Sequence, residues 1–253
     1  MILLHDEQGS PEWKQSRAGV ITASRFSDAR GRLTRATKTG GIGDPTADAV
    51  KYACQVAIER IAGEPIDDTY ATWQMRRGTE LEPEARERYE ALTGHIVEQA
   101  GLALTDDRVF GYSTDGLVDV LTDDGANVSP DGLIEFKCPV APEKIVGAWR
   151  DPAAAADEYI DQIHGGLWIT CRKWCDLVVY CPWLRSVGKD ILIHRIWRDD
   201  DAIDALADDL LAFARVVDRH ESMLRGLLPA PTTKPHQATP PHTPSALVTE
   251  PTF

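Results

Sequence analysis

The 253-residue sequence has no run of about 18 apolar residues, so it contains no candidate membrane span. Its start, MILLHDEQGS, lacks a basic stretch ahead of an apolar one, which argues against a secretory signal and predicts a soluble, intracellular protein. Cysteine is scarce. Five residues, an odd number in a chain with no export signal, read as reduced thiols and exclude a disulfide framework. Cys171, Cys175 and Cys181 cannot gather on one iron–sulfur cluster if the stretch between the last two is a continuous strand, and buried thiols are the expected fate. There is no H-E-x-x-H and no G-x-x-x-x-G-K, and no P-C-x-x-C follows the H-x-E of His5-Asp6-Glu7. Metalloprotease, nucleotide-triphosphate motor and zinc deaminase readings therefore fall away. No internal repeat is present.

Basic charge is also in short supply, with a formal net charge of -13. Taken alone this argues against nucleic acid, because phosphate binding is driven by Lys and Arg releasing counterions. Net charge averages over a surface, however, and a local basic channel beside a carboxylate cluster suffices for a nuclease. The stretch Ala29 to Gly43 holds Arg30, Arg32, Arg35 and Lys38 and no acid. Such a stretch suits a channel or a solvated loop.

With 43% hydrophobic and 26% charged residues, most of the chain is expected to fold, as one domain over residues 1–228. From Pro229 the sequence becomes PAPTTKPHQATPPHTPSALVTEPTF, which has no apolar period and predicts a disordered tail over 229–253. Apolar spacing near 3.6 predicts helices over Pro45 to Ala62, Thr69 to Leu92, Ala153 to Thr170 and Asp200 to Leu228. Gly63 and Gly94 end the first two, and Pro83 should kink or restart the second. Trp13, Trp73 and Trp168 are expected in the core. Short apolar runs between Ile96 and Lys137, then Asp176 to Tyr180 and Ile191 to Trp197, predict strands. The fold expected is α/β, a central mixed β-sheet flanked by α-helices.

The most informative stretch is Pro130-Asp131-Gly132-Leu133-Ile134-Glu135-Phe136-Lys137-Cys138-Pro139. Glu135 and Lys137 lie two apart on a strand and leave the same face, while Ile134 and Phe136 point to a core. For phosphodiester hydrolysis the carboxylate holds a divalent cation while the ammonium orients or helps deprotonate water. The same pattern also fits a surface ion pair on one strand face. One carboxylate cannot fix a hard cation, so other oxygen ligands should converge. Asp115, in Ser113-Thr114-Asp115-Gly116-Leu117, and Glu82, beside the inner face marked by Leu81, Ala85, Tyr89 and Leu92, are the candidates. Asp131, in a second S-P-D-G-L, competes with Asp115. It leads directly into Glu135 and reads as a turn, so Asp115 is preferred, with Asp119 a third choice.

Five motifs occur in one order. They are Gln8-Gly9-Ser10-Pro11-Glu12-Trp13 followed by R-x-G-x-I-T-A-S at Arg17 to Ser24, G-x-x-x-E at Gly78 to Glu82, S-x-D-G-L at Ser113 to Leu117, E-x-K-C-P at Glu135 to Pro139, and Y-x-x-Q at Tyr159 to Gln162. Over about residues 8 to 197 the chain thereby resembles the phage lambda exonuclease family and its YqaJ-like recombination relatives, nucleases of the PD-(D/E)XK superfamily. The resemblance implies a restriction-endonuclease-like core with Glu82, Asp115 and Glu135 as metal ligands, and with the Phe136 carbonyl as an additional one. It implies Mg2+ as cofactor, with Mn2+ as substitute. Lys137 would position or activate water, Gln162 would lie beside it, and Arg17, Ser24 and Ser113 would bind a 5′ phosphate. His164 stands where a second Gln is usual, and the connection from Asp115 to Glu135 is longer than in the prototype. The implied activity is 5′ to 3′ digestion of double-stranded DNA, releasing 5′ mononucleotides and leaving a 3′ single strand for an annealing protein. A homotrimer around DNA, in the cytoplasm of the host cell of a phage or prophage, is implied as well. An endonuclease or single-strand exonuclease of the same fold, and a non-catalytic DNA-end-binding protein, remain alternatives.

Overall fold

Side-chain caps set where the helices begin. Ser10 accepts from the Trp13 N–H and starts α1 (Pro11–Arg17) with proline in its first turn, where the missing N–H costs nothing. Thr46 does the same for α3 (Ala47–Ala62) through the Ala49 N–H, and Gly63 ends that helix at φ 71°, a left-handed conformation that only glycine adopts without strain. Asp199 accepts from Ala202 N–H at the start of α8 (Asp200–Leu224), whose buried face is Ile203, Leu206, Leu210, Phe213, Ala214 and Val217.

The computed structural model describes residues 1–38, 40–66, 73–121 and 128–227, without the side chains of Gln74, Met75 and Val128. The expected tail, 229–253, lies outside the described residues. In chain order the remaining elements are β1 (Ile2–Leu4), β2 (Ile21–Thr22), α2 (Phe26–Ala29), α4 (Trp73–Thr93), β3 (Val97–Glu98), β4 (Leu102–Leu104), β5 (Phe110–Tyr112), β6 (Gly116–Leu121), β7 (Val128–Lys137), α5 (Pro142–Arg150), α6 (Pro152–Ala156), α7 (Ile160–Thr170), β8 (Trp174–Tyr180) and β9 (Ile191–Trp197). The central sheet is five-stranded and mixed, in the order β3-β6-β7-β8-β9. In it β7 and β8 run parallel, with Glu135 opposite Leu177 and Lys137 opposite Val179, and the other neighbours are antiparallel. A second, four-stranded sheet, β1-β4-β5-β2, takes β4 and β5 from the strand region expected between Ile96 and Lys137, while β1, β2 and the division into two sheets have no counterpart in the sequence reading.

Helix α4 covers one face of the central sheet, packing Ala85 and Tyr89 onto Ile134, Phe136, Trp174 and Val178. The other face, Leu133, Cys175 and Leu177, is covered by Ile163 and Leu167 of α7 and by Tyr112. Each fully buried side chain of this size contributes about 1.5–3 kcal/mol. Helices α3 and α8 lock together through Tyr52 stacked on Phe213 at 5.4 Å.

Several expectations change. Pro83 sits inside a continuous α4, which tolerates the one backbone bond a proline cannot donate. The helix expected over Ala153 to Thr170 is divided into α6, a 3₁₀ turn at Asp157–Tyr159, and α7. Leu92 and Trp73 are exposed instead of inward-facing. Cys175 and Cys181 are buried, but Cys171 is exposed. No helix among the described residues is long and apolar enough to cross a membrane.

Candidate active site

Glu135 and Lys137 leave β7 on one face, as their spacing predicts, and the structure fills in the partners. Glu135 is 2% exposed and carries three donors. Lys137 Nζ and Gln162 Nε2 both donate to its Oε1 at 2.5 Å, and the Tyr112 hydroxyl donates to its Oε2 at 2.9 Å. A buried carboxylate needs such partners to stay where it is. Gln162 reaches it from α7, three residues past the 3₁₀ turn, and Tyr159 in that turn places its ring 4.8 Å from Lys137 Nζ. Burial alone would lower the Lys137 pKa, but the Glu135 and Asp115 carboxylates beside it raise it overall. The ammonium is thus held charged.

Asp115 stands where β6 begins. Its Oδ2 accepts the Phe136 N–H at 2.8 Å, which ties the start of one strand to the end of its neighbour and brings the carboxylate to Glu135. Burial first, then the charge of Glu135, holds Asp115 well above the usual carboxylate range, with Lys137 opposing and Glu82 adding to the rise. Glu82 reaches the same place from α4. Its pKa is raised by burial, against the pull of Arg86, with Glu135 again contributing. Arg86 Nη2 donates to Glu82 Oε1 at 2.7 Å and to the Asp115 carbonyl at 3.3 Å.

The competitors stay away. Asp131 is not in a turn but inside β7, paired with Lys173 at 2.6 Å, and four strand residues set it about 13 Å from Glu135. Asp119 pairs with Arg172 at 2.9 Å. The structure places Glu82, Asp115, Glu135, Lys137 and Gln162 together. His164, two residues beyond Gln162 on α7, is half-buried with Asp199, Asp161 and Arg30 as its charged neighbours.

The three phosphate candidates come from one junction. Strands β2 and β5 are parallel with Thr22 opposite Gly111, so Ser24 and Ser113 each follow two residues beyond a paired position. Arg17 Nη2 donates to Thr22 Oγ1 at 3.2 Å, and its guanidinium lies 4.3 Å from the centre of the Trp13 ring. Burial lowers its pKa, with Tyr52 and Glu59 opposing. Ser24 is exposed, and the Ser113 hydroxyl is buried with no hydrogen-bond partner among the described residues. No hydrogen bond among the described residues joins the three directly. Of the expected basic stretch, Arg30 is already paired with Asp161 and Asp209, while Arg35 and Lys38 are exposed.

Tyr112, Arg86, Tyr159 and Arg25, whose guanidinium lies 4.4 Å from the Tyr52 ring centre, were not singled out from sequence for these contacts. Two of them had a local signal, Arg86 in its position four residues after Glu82 on a helix and Tyr159 as the first residue of the Y-x-x-Q motif. Tyr112 finds Glu135 across 23 positions.

A hard divalent cation takes oxygen ligands, and Glu82, Asp115, Glu135 and the Phe136 carbonyl offer only oxygen. The raised pKa values of Glu82 and Asp115 include the repulsion among these carboxylates, which a cation would relieve. The residues present therefore fit such an ion. As they are placed, no group of three His, Cys, Asp or Glu side chains among the described residues is gathered closely enough to hold one.

A YqaJ-like viral recombinase domain matches residues 12–173, more than half of the chain. An alkaline exonuclease from Laribacter hongkongensis, also solved in complex with dAMP, is 31% identical, with a TM-score of 0.68 over 86% of this chain and 98% of that one. A phage-related exonuclease from Haemophilus somnus 129PT shares the fold at 13% identity, with a TM-score of 0.57 over 82% of this chain and 96% of that one. No curated protein matches the sequence.

Proposed function

The chain belongs to the YqaJ-like viral recombinase family, and from that premise we propose that it is a metal-dependent DNA exonuclease of the PD-(D/E)XK type. The observation that carries this reading is the joining of Asp115 to Phe136 beside the Glu135–Lys137 pair. A protein that only bound DNA would have no need to bury two carboxylates beside a third and a lysine.

Glu82, Asp115, Glu135 and the Phe136 carbonyl would hold the cation, Mg2+ or Mn2+ in its place. A divalent ion there supplies Lewis-acid stabilisation of charge developing on the phosphate. Lys137, placed against Glu135, would position or activate the attacking water and offset charge at phosphorus. Gln162 and Tyr112 hold Glu135 in register. Arg17, with Ser24 and the unpartnered Ser113 hydroxyl, would receive a 5′ phosphate. Ser113 lies two residues from Asp115 in the chain, and a phosphate held there would support attack at a 5′ end and 5′ to 3′ progress along double-stranded DNA. The complex of the Laribacter enzyme with dAMP supports a deoxynucleoside monophosphate as product. The 3′ strand left behind would go to an annealing protein in recombination, and a homotrimer encircling the duplex would keep the enzyme on its track.

The test is digestion of one plasmid in closed circular and in linear form with Mg2+. Loss of the linear form to mononucleotides with the circle intact is expected; nicking or cutting of the circle at an equal rate would favour an endonuclease.

A further inference from the structure

Strands β7 and β8 end side by side, and the chain leaves both ends through a proline. After β7 it passes Pro139 and enters α5; after β8 it passes Pro182 into a 3₁₀ turn, Pro182–Val187. Each exit carries a tryptophan with a cation on its ring. The Arg77 guanidinium lies 4.6 Å from the centre of Trp183, and Lys189 Nζ lies 4.4 Å from that of Trp149. Trp183 is 59% exposed, so a large part of that ring remains open to solvent.

Beside the first exit and Lys137 lies a cavity of about 380 Å³, lined by Pro139, Tyr159, Val179 and Ala148, with the cations Lys144 and Arg150 and the acids Asp151 and Glu158 also on its wall. Trp149 sits in the chain between two of those lining residues. Lys144 is engaged by Glu158 and Arg185 by Glu84. Arg150 and Lys189 make no ion pair among the described residues, and the Arg77 Nε is buried without a hydrogen-bond partner. Cations interleaved with indole rings thus cluster beside the candidate active site of a chain whose net charge is -13.

We propose that this face binds single-stranded DNA, with bases stacking on Trp183 and Trp149 and phosphates meeting Arg77, Arg150 and Lys189. Stacking on aromatic rings accepts any base, and the cations follow the backbone. The small apolar walls of the cavity suit the flat face of a base. The inference deepens the nuclease reading, which requires a strand to be led past Glu135 and Lys137, and it rests on that reading for its purpose.

The experiment is fluorescence anisotropy of a labelled oligo-dT of about 20 nucleotides, a length chosen to exceed the roughly 4–16 nucleotides such sites occupy. Binding is measured in EDTA for the full chain and for Trp183→Ala, Trp149→Ala, the double variant and both Trp→Phe variants. Each alanine should weaken binding about tenfold, the size of one lost base stack, and phenylalanine should restore most of it. Double-variant affinity within about twofold of wild type would overturn the proposal. Should Trp149→Ala lose its far-UV circular dichroism, the Trp183 variants carry the test alone, since that ring is largely exposed. Because EDTA stops any metal-dependent cleavage, failure of the nuclease reading would appear only in the separate Mg2+ digestion and leaves this binding result intact.

Discussion

Replacing Tyr112 by phenylalanine removes one oxygen from a wholly buried ring and leaves its packing in place. The hydroxyl donates to Glu135 Oε2 at 2.9 Å, whereas Lys137 and Gln162 both serve Oε1. Burial first, and then the Glu135 charge, pushes the Tyr112 pKa up, so it is a proton donor at every working pH. The variant therefore leaves a buried carboxylate oxygen without its protein donor. Hydrogen bonds to charged groups contribute roughly 1.5–3 kcal/mol, and a loss of about 2 kcal/mol is expected. At about 2–4 °C per kcal/mol for a chain of this size, Tm should fall by about 4–8 °C. The assay is thermal unfolding followed by circular dichroism in EDTA, so that no cation substitutes for the lost donor. Gly166 packs on the same ring, where an added Cβ would lie 2.8 Å from Tyr112 Cε1, which leaves the ring little room to shift and rescue the contact. A Tm within about 1 °C of wild type would refute the reasoning, because the Tyr112–Glu135 bond would then contribute nothing.

Two further outcomes follow from other parts of the structure. Arg17→Ala should abolish the preference for 5′-phosphorylated over 5′-hydroxyl duplex ends in initial digestion rate, by about tenfold or more for a lost charge-assisted contact; an unchanged ratio would remove Arg17 from the phosphate pocket. Gly132→Ala would place a Cβ 2.2 Å from Trp174 Cη2. This overpacking should cost about 1–3 kcal/mol and lower the urea midpoint without changing the slope, and an unchanged midpoint would show that Trp174 moves aside freely.

What could be read from sequence follows the range of the interactions. The pairing of Glu135 with Lys137 is a matter of two residues on a strand, and the buried face of α8 is a matter of 3.6-residue spacing, so both were legible. Strands β4 and β5 fall on short apolar runs, but β1 and β2, and the pairing of all four into a sheet of their own, were not legible, because strands of two or three residues are too short to show an alternation. Asp131 looked like a turn because Pro130 and Gly132 flank it, yet β7 runs straight through them. Arg30 looked free for phosphate in a stretch without acids, but its partners Asp161 and Asp209 lie 131 and 179 positions away. The candidate site was legible only because its residues sit in short ordered motifs; of the donors to Glu135 and Glu82, Tyr112 alone had no signal in the sequence and comes from the fold.

The central claim is that Glu135 and Lys137 form the hydrolytic centre of a metal-dependent exonuclease. It is met most directly by gel-resolved digestion of a linear duplex labelled at either end, with Mg2+, with EDTA, and with Lys137→Ala in place of wild type. Shortening from the 5′ ends that requires Mg2+ and drops by about 10²–10⁴-fold in the variant is the predicted result. A duplex left whole at every metal concentration, or digested equally by Lys137→Ala, would contradict it.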